Sequence, residues 1–573
     1  MVRGIPHSSV APWFLASLSV AIACSEGSAR DPSGGAPGNG GSSAPSGGAA
    51  NNAGGVPSNG GRPAQSGGAP GNGGVPSQSG GTPGSGGSPS PSGGAANNAG
   101  GTPSSGGSPP QGGGVTASGG STAGTGGGGG SPSLGCVPNG RAHNPLVTQI
   151  FTADPNAIVY GDRVYVYTSH DVDGQTGFDM VDYHAYSSDD LVNWQDHGVI
   201  IHADELPWAP NLYAPGACTK NGKYYLYIPN SGSAIGVAVA DQPGGPFVDP
   251  RGQALLTPSF PNANVPWLFD PACFVDDDGQ AYLYFGGGDD GGQNARVVRL
   301  NDDMVSIKDS RATTIPTTAF FEASFMHKRE GKYYFSYSSD FSSEHGAALE
   351  YLMSDSPMSG FEYQGKFLPS ANINDGNNNH GSIIEFAGKN YLFYHNRKLE
   401  QELGVNKVNN RSIALQELSY GSDGKITPLA MSNDDYTVSQ LKCLDGFAEV
   451  QAERLAEEHG IEVEGRAGEV VRVARIEEGD WTAYSQVDFR DGATNLIVKV
   501  ASASSGGRID VVIDGCIQGK EGTSIGTCEV TSTGGAATFA PLSCPLTQTS
   551  GPHDLCLKFS GSPAFEIDSF HLE

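Results

Sequence analysis

The chain has 573 residues, a formal net charge of −28, 37% hydrophobic residues and 85 glycines. Such an acidic chain argues against nucleic acid and anionic membrane surfaces as partners and suits a neutral ligand. Beyond the N-terminus, no apolar run is long enough for a transmembrane helix.

Arg3 precedes an apolar run from Val10 to Ala23, which is too short to span a bilayer and fits the core of a signal peptide over residues 1–24. The run ends in Ala23-Cys24-Ser, which also resembles a bacterial lipoprotein signal, so the expectation is export, with either a free or a lipid-anchored form. Residues 25–133 are almost only Gly, Ser, Pro, Ala and Asn, and the stretch beginning at Pro45 recurs at Pro91. Too little apolar surface is present to offset backbone ordering, so this segment is expected to be a disordered tether. A Gly/Ser-rich coil of that length reaches about 55–60 Å on average.

Residues 134–443 carry five copies of a turn feeding an aromatic strand. They start at Gly161, Gly222, Gly279, Gly331 and Gly388, spaced 61, 57, 52 and 57 residues apart. This period predicts a five-bladed β-propeller, an all-β fold. Seven to nine residues before each glycine stand Asp154, Tyr213, Asp270, Glu322 and His380. The innermost strands of a propeller run beside one axis, so residues of equal phase converge there. Pro155 and Pro271 follow the two aspartates, and a following proline favours extended backbone at each. Glu322 follows two phenylalanines, and an apolar wall with anions nearby favours its protonated form. A neutral acid and a charged base across one pocket are the minimal equipment of glycoside hydrolysis. Their opposite protonation predicts a bell-shaped pH profile. The Asp276-Asp277-Asp278 turn carries no role, and Asp171-Val-Asp-Gly lacks the rest of a calcium loop.

After Cys443 the texture changes to alternating strands with regular turns over residues 444–573, the pattern of a β-sandwich. Of the nine cysteines, eight remain once Cys24 is set aside, an even number that suggests disulfides in an exported protein. Cys136 and Cys443 flank the repeats, and a bridge would lock the ends together. Cys218 and Cys273 either pair or serve as small buried apolar residues. Cys516, Cys528, Cys544 and Cys556 leave three pairings open. No Cys/His spacing suggests zinc.

The motifs Phe151-Thr-Ala-Asp154-Pro, Trp267-Leu-Phe-Asp270-Pro, Phe321-Glu322-Ala-Ser and Asn378-Asn-His380-Gly together resemble glycoside hydrolase family 43. With Asn144-Pro-Leu-Val and Ser169-His-Asp, the chain is most similar to its arabinoxylan arabinofuranohydrolases. The resemblance implies an inverting enzyme with Asp154 as general base, Glu322 as general acid and Asp270 orienting the acid. It further implies a substrate cleft lined by Tyr213, Trp267, Phe321, Asn378 and Arg411, and an axial calcium approached by His380. Tyr213-Ala-Pro stands where relatives commonly have Trp-Ala-Pro, and Trp208-Ala-Pro lies five residues earlier. The last domain resembles a family 6 carbohydrate-binding module, through Gln451-Ala-Glu453, Gly479-Asp-Trp481 and Gly551-Pro-His-Asp. This implies a structural calcium at Glu453 and Asp568. The usual sugar-sandwiching Tyr and Trp are replaced by Arg475 and Ala536, the usual Asn by Glu566, and Trp481 is expected in the core. The expected substrate is arabinoxylan or xylan, and the expected state a monomer. The alternatives are a β-xylosidase or arabinan-degrading enzyme with the same acids, and a non-catalytic glycan-binding adhesin.

Overall fold

The computed structural model describes residues 136–573 except Thr176, Asp290, Gly291, Ser343, Asp375, Gly376 and 406–408. The expected signal segment, Cys24 and the tether lie outside the described residues. Each repeated glycine lies in the turn between the first two strands of a blade, with φ of 62°, 72°, 81°, 79° and 76°. Asn221, Glu330 and Ala387 precede three of them, also at positive φ, as a tight two-residue hairpin turn requires. The strands after these turns, such as Lys223–Asn230 and Lys332–Ser339, carry aromatic or aliphatic residues on both faces because both blade faces are covered. Tyr333, Phe335 and Tyr337 face the preceding blade, and Tyr334 faces the following one.

Among the described residues the repeats form five antiparallel sheets. Their innermost strands are Thr152–Tyr160, Gly216–Lys220, Ala272–Val275, Phe320–Arg329 and Gly381–Phe386. An apolar cluster fills each seam between blades. Tyrosine hydroxyls stitch neighbouring blades: Tyr167, Tyr227 and Tyr284 donate to the carbonyls of Pro243, Met304 and Pro357 at 2.7–2.8 Å. The ring closes where Arg141–His143 pairs with Tyr436–Ser439. There Asn144 reads the Leu415 backbone with both ends of its amide. Cys136–Cys443 locks that closure, and Cys218–Cys273 links the innermost strands of the second and third blades.

From Leu444 onward the chain forms a curled, mainly antiparallel sheet around one apolar core, pinned by Cys516–Cys556 and Cys528–Cys544. These are the pairings chosen from the three open to the sequence. The sandwich is joined to the first blade through backbone: Arg454–Leu455 adds a strand opposite Gln195 and Trp194. Asn193 also both donates to and accepts from the main chain of Ser485.

Candidate active site

The three acids and His380 all stand at the start of an innermost strand, or just before it, and all are buried. Asp154 and Asp270 do not take the extended backbone that their following prolines favour. Their φ values are 52° and 46°. Tertiary contacts override the local preference. A bulge displaces the register between Ala153 and Asn156, the Asp154 N–H donates to His395 Nδ1 at 3.2 Å, and Asp270 Oδ2 accepts from Ala323 N at 2.8 Å. Ala323, itself at φ 62°, sits in a second bulge beside Glu322. Positive φ at a residue with a side chain is costly and persists only where the surroundings hold it. Gly216 leaves room for this arrangement: a Cβ there would lie 2.0 Å from the Pro271 carbonyl oxygen.

Asp154 is held from three sides. Arg411 Nη1 donates to its Oδ1 at 2.8 Å and Ser169 Oγ to its Oδ2 at 2.7 Å, and His395 Nδ1 lies 3.3 Å from Oδ1. Burial alone would raise its carboxyl, but Arg411, with His395 and His380, holds it well below the ordinary carboxylate range. Arg411 is itself buried. Its Nε and Nη2 donate to Asp171 at 2.9 and 2.8 Å, and Phe178 covers its guanidinium at 5.2 Å. Burial opposes its charge, yet Asp154 and Asp171 together hold it protonated.

Glu322 lies under the opposite balance. Burial pushes its carboxyl up to about 7, against the restraint of the Asn378 amide that donates to Oε1, and the Asp154 charge pushes the same way. Asp270 is raised well above its ordinary value by burial and by the charges of Glu322 and Asp154. His380 Nδ1, buried and without a hydrogen bond, faces Asp154 Oδ1 at 3.5 Å and Asp270 Oδ2 at 3.9 Å. Burial lowers this imidazole to about 4, so it is neutral.

An aromatic arc runs along one side of these acids. Tyr213 lies 6.4 Å from Phe269, Phe269 stacks on Trp267 at 5.4 Å, and Trp267 meets Phe321 edge-on at 5.2 Å. Phe341, 54% exposed, extends it from Phe321 at 5.2 Å. Such rings offer flat apolar faces to a sugar. Burial raises the Tyr213 phenol, which also feels Arg411 and Glu322. Trp208, the residue of the displaced Trp-Ala-Pro motif, instead packs on Gly236 within the second blade and donates to Asp249 at 2.8 Å.

The sequence reading did not pick out Asp171, His395, Ser169, Phe269 or Phe341 as site residues. Asp171 was visible only within the Ser169-His-Asp motif and as the start of an incomplete calcium loop. His395 lies on a second strand, out of phase with the repeat.

In the sandwich, Glu453 and Asp568 line one cleft with Asp196 of the first blade. Burial, with the charges of Asp196 and Asp568, raises Glu453 well above its ordinary value. Its Oε2 is buried without a hydrogen bond, and Lys499 Nζ lies 2.6 Å from Asp568. An orphaned buried carboxylate oxygen beside a second carboxylate fits a hard cation. The expected sugar loop is different. Arg475 is ion-paired to Glu464 at 2.6 Å, Glu566 accepts from Arg472 at 2.6 Å, and Ala536 is exposed. Trp481 packs against the core at the Cys516–Cys556 bridge.

The family model of glycosyl hydrolases family 43 matches residues 142–426, and that of carbohydrate binding module family 6 matches residues 451–573. An arabinoxylan arabinofuranohydrolase of Paenibacillus polymyxa is 35% identical over 464 residues, covering 73% of this chain and 72% of that protein. Xylosidase/arabinosidase 43A of Humicola insolens is 37% identical over 342 residues, covering 49% of this chain and 98% of that protein. The crystal structure of a glycoside hydrolase family 43 arabinoxylan arabinofuranohydrolase from Bacillus subtilis, in complex with cellotetraose, aligns with a TM-score of 0.69. It is 34% identical and covers 75% of this chain and 97% of that one.

Proposed function

The chain belongs to glycosyl hydrolase family 43, and from that premise we propose that it releases α-L-arabinofuranosyl side groups from arabinoxylan with inversion of configuration. The observation that carries this reading is the opposite treatment of two acids in one hole: Arg411, Ser169 and His395 keep Asp154 charged, while burial keeps Glu322 protonated to about pH 7. Asp154 takes a proton from water as the water oxygen bonds to the anomeric carbon. Glu322 gives its proton to the departing xylosyl oxygen as the glycosidic bond breaks. Asp270, fixed by the N–H of Ala323 next to Glu322, orients that acid. Asn378 orients the Glu322 carboxyl, and Tyr213, Trp267 and Phe321 form the sugar wall. The long-chain relative named for arabinoxylan supports this substrate. The relative named xylosidase/arabinosidase supports a second reading, in which the same acids release xylose from chain ends.

A proton NMR time course on arabinoxylan, linear xylan and arabinan separates the two. The expected result is arabinose from the first, appearing initially as the β-anomer. Xylose from linear xylan as the main product would replace this reading with the second, and no sugar from any of the three would leave only glycan binding.

Calcium fits the two domains unequally. Glu453 and Asp568 would hold the ion in the sandwich, where its charge would compensate their mutual repulsion. At the axis, Asp154 and Asp270 are already engaged, so His380 would be the protein ligand and water would supply the remaining positions. We further propose export, which the four disulfides support, because such bridges persist in oxidising compartments.

A further inference from the structure

His170, Asp182 and His184 form a cluster outside the catalytic hole. Strands Arg163–His170 and Asp182–Ser188 are antiparallel, with Ser169 opposite Tyr183 and Thr168 opposite His184. That register sets His170 across from Asp182. Asp182 and His184, two residues apart, point to the same face. Three side chains therefore meet from two adjacent, rigid strands. His170 Nδ1 lies 2.9 Å from Asp182 Oδ1 and His184 Nε2 lies 3.7 Å from the same oxygen. One ligand atom from each residue falls within 4.8 Å of the others. Around a tetrahedral ion with bonds of about 2.0–2.1 Å, neighbouring ligand atoms stand about 3.3 Å apart, so the measured separations bracket what an ion would require.

A second observation comes from behind the cluster. His184 Nδ1 is buried without a hydrogen bond and faces Asp196 Oδ1 at 3.8 Å. Asp196 is fixed in turn, accepting from Gly198 N at 2.7 Å and from Gln149 Nε2 at 3.1 Å. A carboxylate behind the distal nitrogen of a ligating imidazole sets its tautomer and orientation, the arrangement found at metal-binding histidines. The side chains of His170, Asp182 and His184 are 19%, 12% and 8% exposed, enough for an ion to enter and keep a water.

We propose that His170, Asp182 and His184 form a site for a divalent first-row transition ion of the zinc class, with solvent as the fourth ligand. Two imidazoles and one carboxylate favour such an ion over calcium or magnesium, which prefer all-oxygen shells. The site has a structural consequence. His170 stands between Ser169, which donates to Asp154, and Asp171, which holds Arg411. An ion here ties the end of that strand to its neighbour and stiffens the support of the charged acid.

The test uses the full chain without a histidine tag, stripped by chelator and saturated with calcium to fill oxygen-ligand sites. After incubation with zinc and desalting, elemental analysis is expected to find one more equivalent in the native protein than in His184→Gln or Asp182→Asn. Zinc is expected to raise the melting temperature of the native chain and not of these variants. Equal zinc in native and variant chains overturns the site and leaves a hydrogen-bonded His-Asp pair. If the variants misfold, cobalt(II) bound to the native chain decides: intense visible d–d bands of a low-coordinate ion support the site, and only the pale spectrum of hydrated cobalt overturns it.

Discussion

The propeller axis and the loop rim of the sandwich are both charged, and both are built on antiparallel strands, yet they treat charge in opposite ways. At the axis Asp154, Asp270, Glu322, Arg411 and His380 are all buried, and each of the three acids and Arg411 is answered by a specific hydrogen-bonding neighbour. On the rim Arg475 and Glu464 form an ion pair in solvent, with no aromatic ring at the Arg475 or Ala536 position. The difference follows from topology. Five blades aim the same strand position at one line, so their groups must be buried together. Loops at a sandwich end diverge into water, where a charge costs little and is worth little. Chemistry that needs one charged and one neutral carboxyl belongs to the first environment.

The sharpest way to break this contrast is to remove either acid. Asp154→Asn and Glu322→Gln are each expected to lower arabinose release by about 10²–10⁴-fold, the usual worth of a positioned acid or base. The circular dichroism of both variants should match the native chain. Activity near native in either variant would end the assignment.

A paired substitution measures the energetic side. Arg411→Met leaves Asp154 and Asp171 buried without their cation and is expected to cost about 3–5 kcal/mol in urea unfolding, as for other broken buried pairs. Its Asp154 carboxyl should also rise toward the ordinary range, which brings an acid limb into the pH profile. Arg475→Met, the same chemical change on the rim, is expected to leave unfolding unchanged. Equal effects at the two arginines would remove the distinction.

Much of this was legible beforehand because the turn glycines repeat. A left-handed glycine followed by an aromatic strand marks each hairpin, and counting back from it finds the axis-facing residue in every blade. The same logic could not find Asp171 or His395. They reach the Asp154–Arg411 pair from positions outside the repeat phase, and only the folded register brings Asp171 to Arg411 and His395 Nδ1 to the Asp154 main chain. The prolines after Asp154 and Asp270 misled about backbone. They report a local preference, whereas bulges and long-range hydrogen bonds fix φ at both residues. Trp208 carries the Trp-Ala-Pro that relatives commonly have at the Tyr213 position, but Gly236 opens a slot for its indole inside the second blade.

The subtlest expected effect lies in the pH profile. Glu322 must be protonated to act, so activity should fall as pH rises through about 7. Asp154 must be charged, and because it is held well below the ordinary range, the acid limb is displaced far downward. The bell expected from sequence therefore opens on its acid side, leaving a single basic limb over the pH range near neutrality. Asn378 donates to Glu322 and so favours the charged carboxyl. Asn378→Ala removes that donor, so the Glu322 proton is held more tightly and the basic limb of kcat/KM should move to higher pH. The acid side should stay where it is, because Asn378 is not among the groups that lower Asp154. A limb that moves down, or both limbs moving together, would mean that Asn378 acts on the whole hole and not on the acid alone. The same kind of deletion on the rim, Arg475 from Glu464, has no counterpart in the profile, since no carboxyl there takes part in proton transfer.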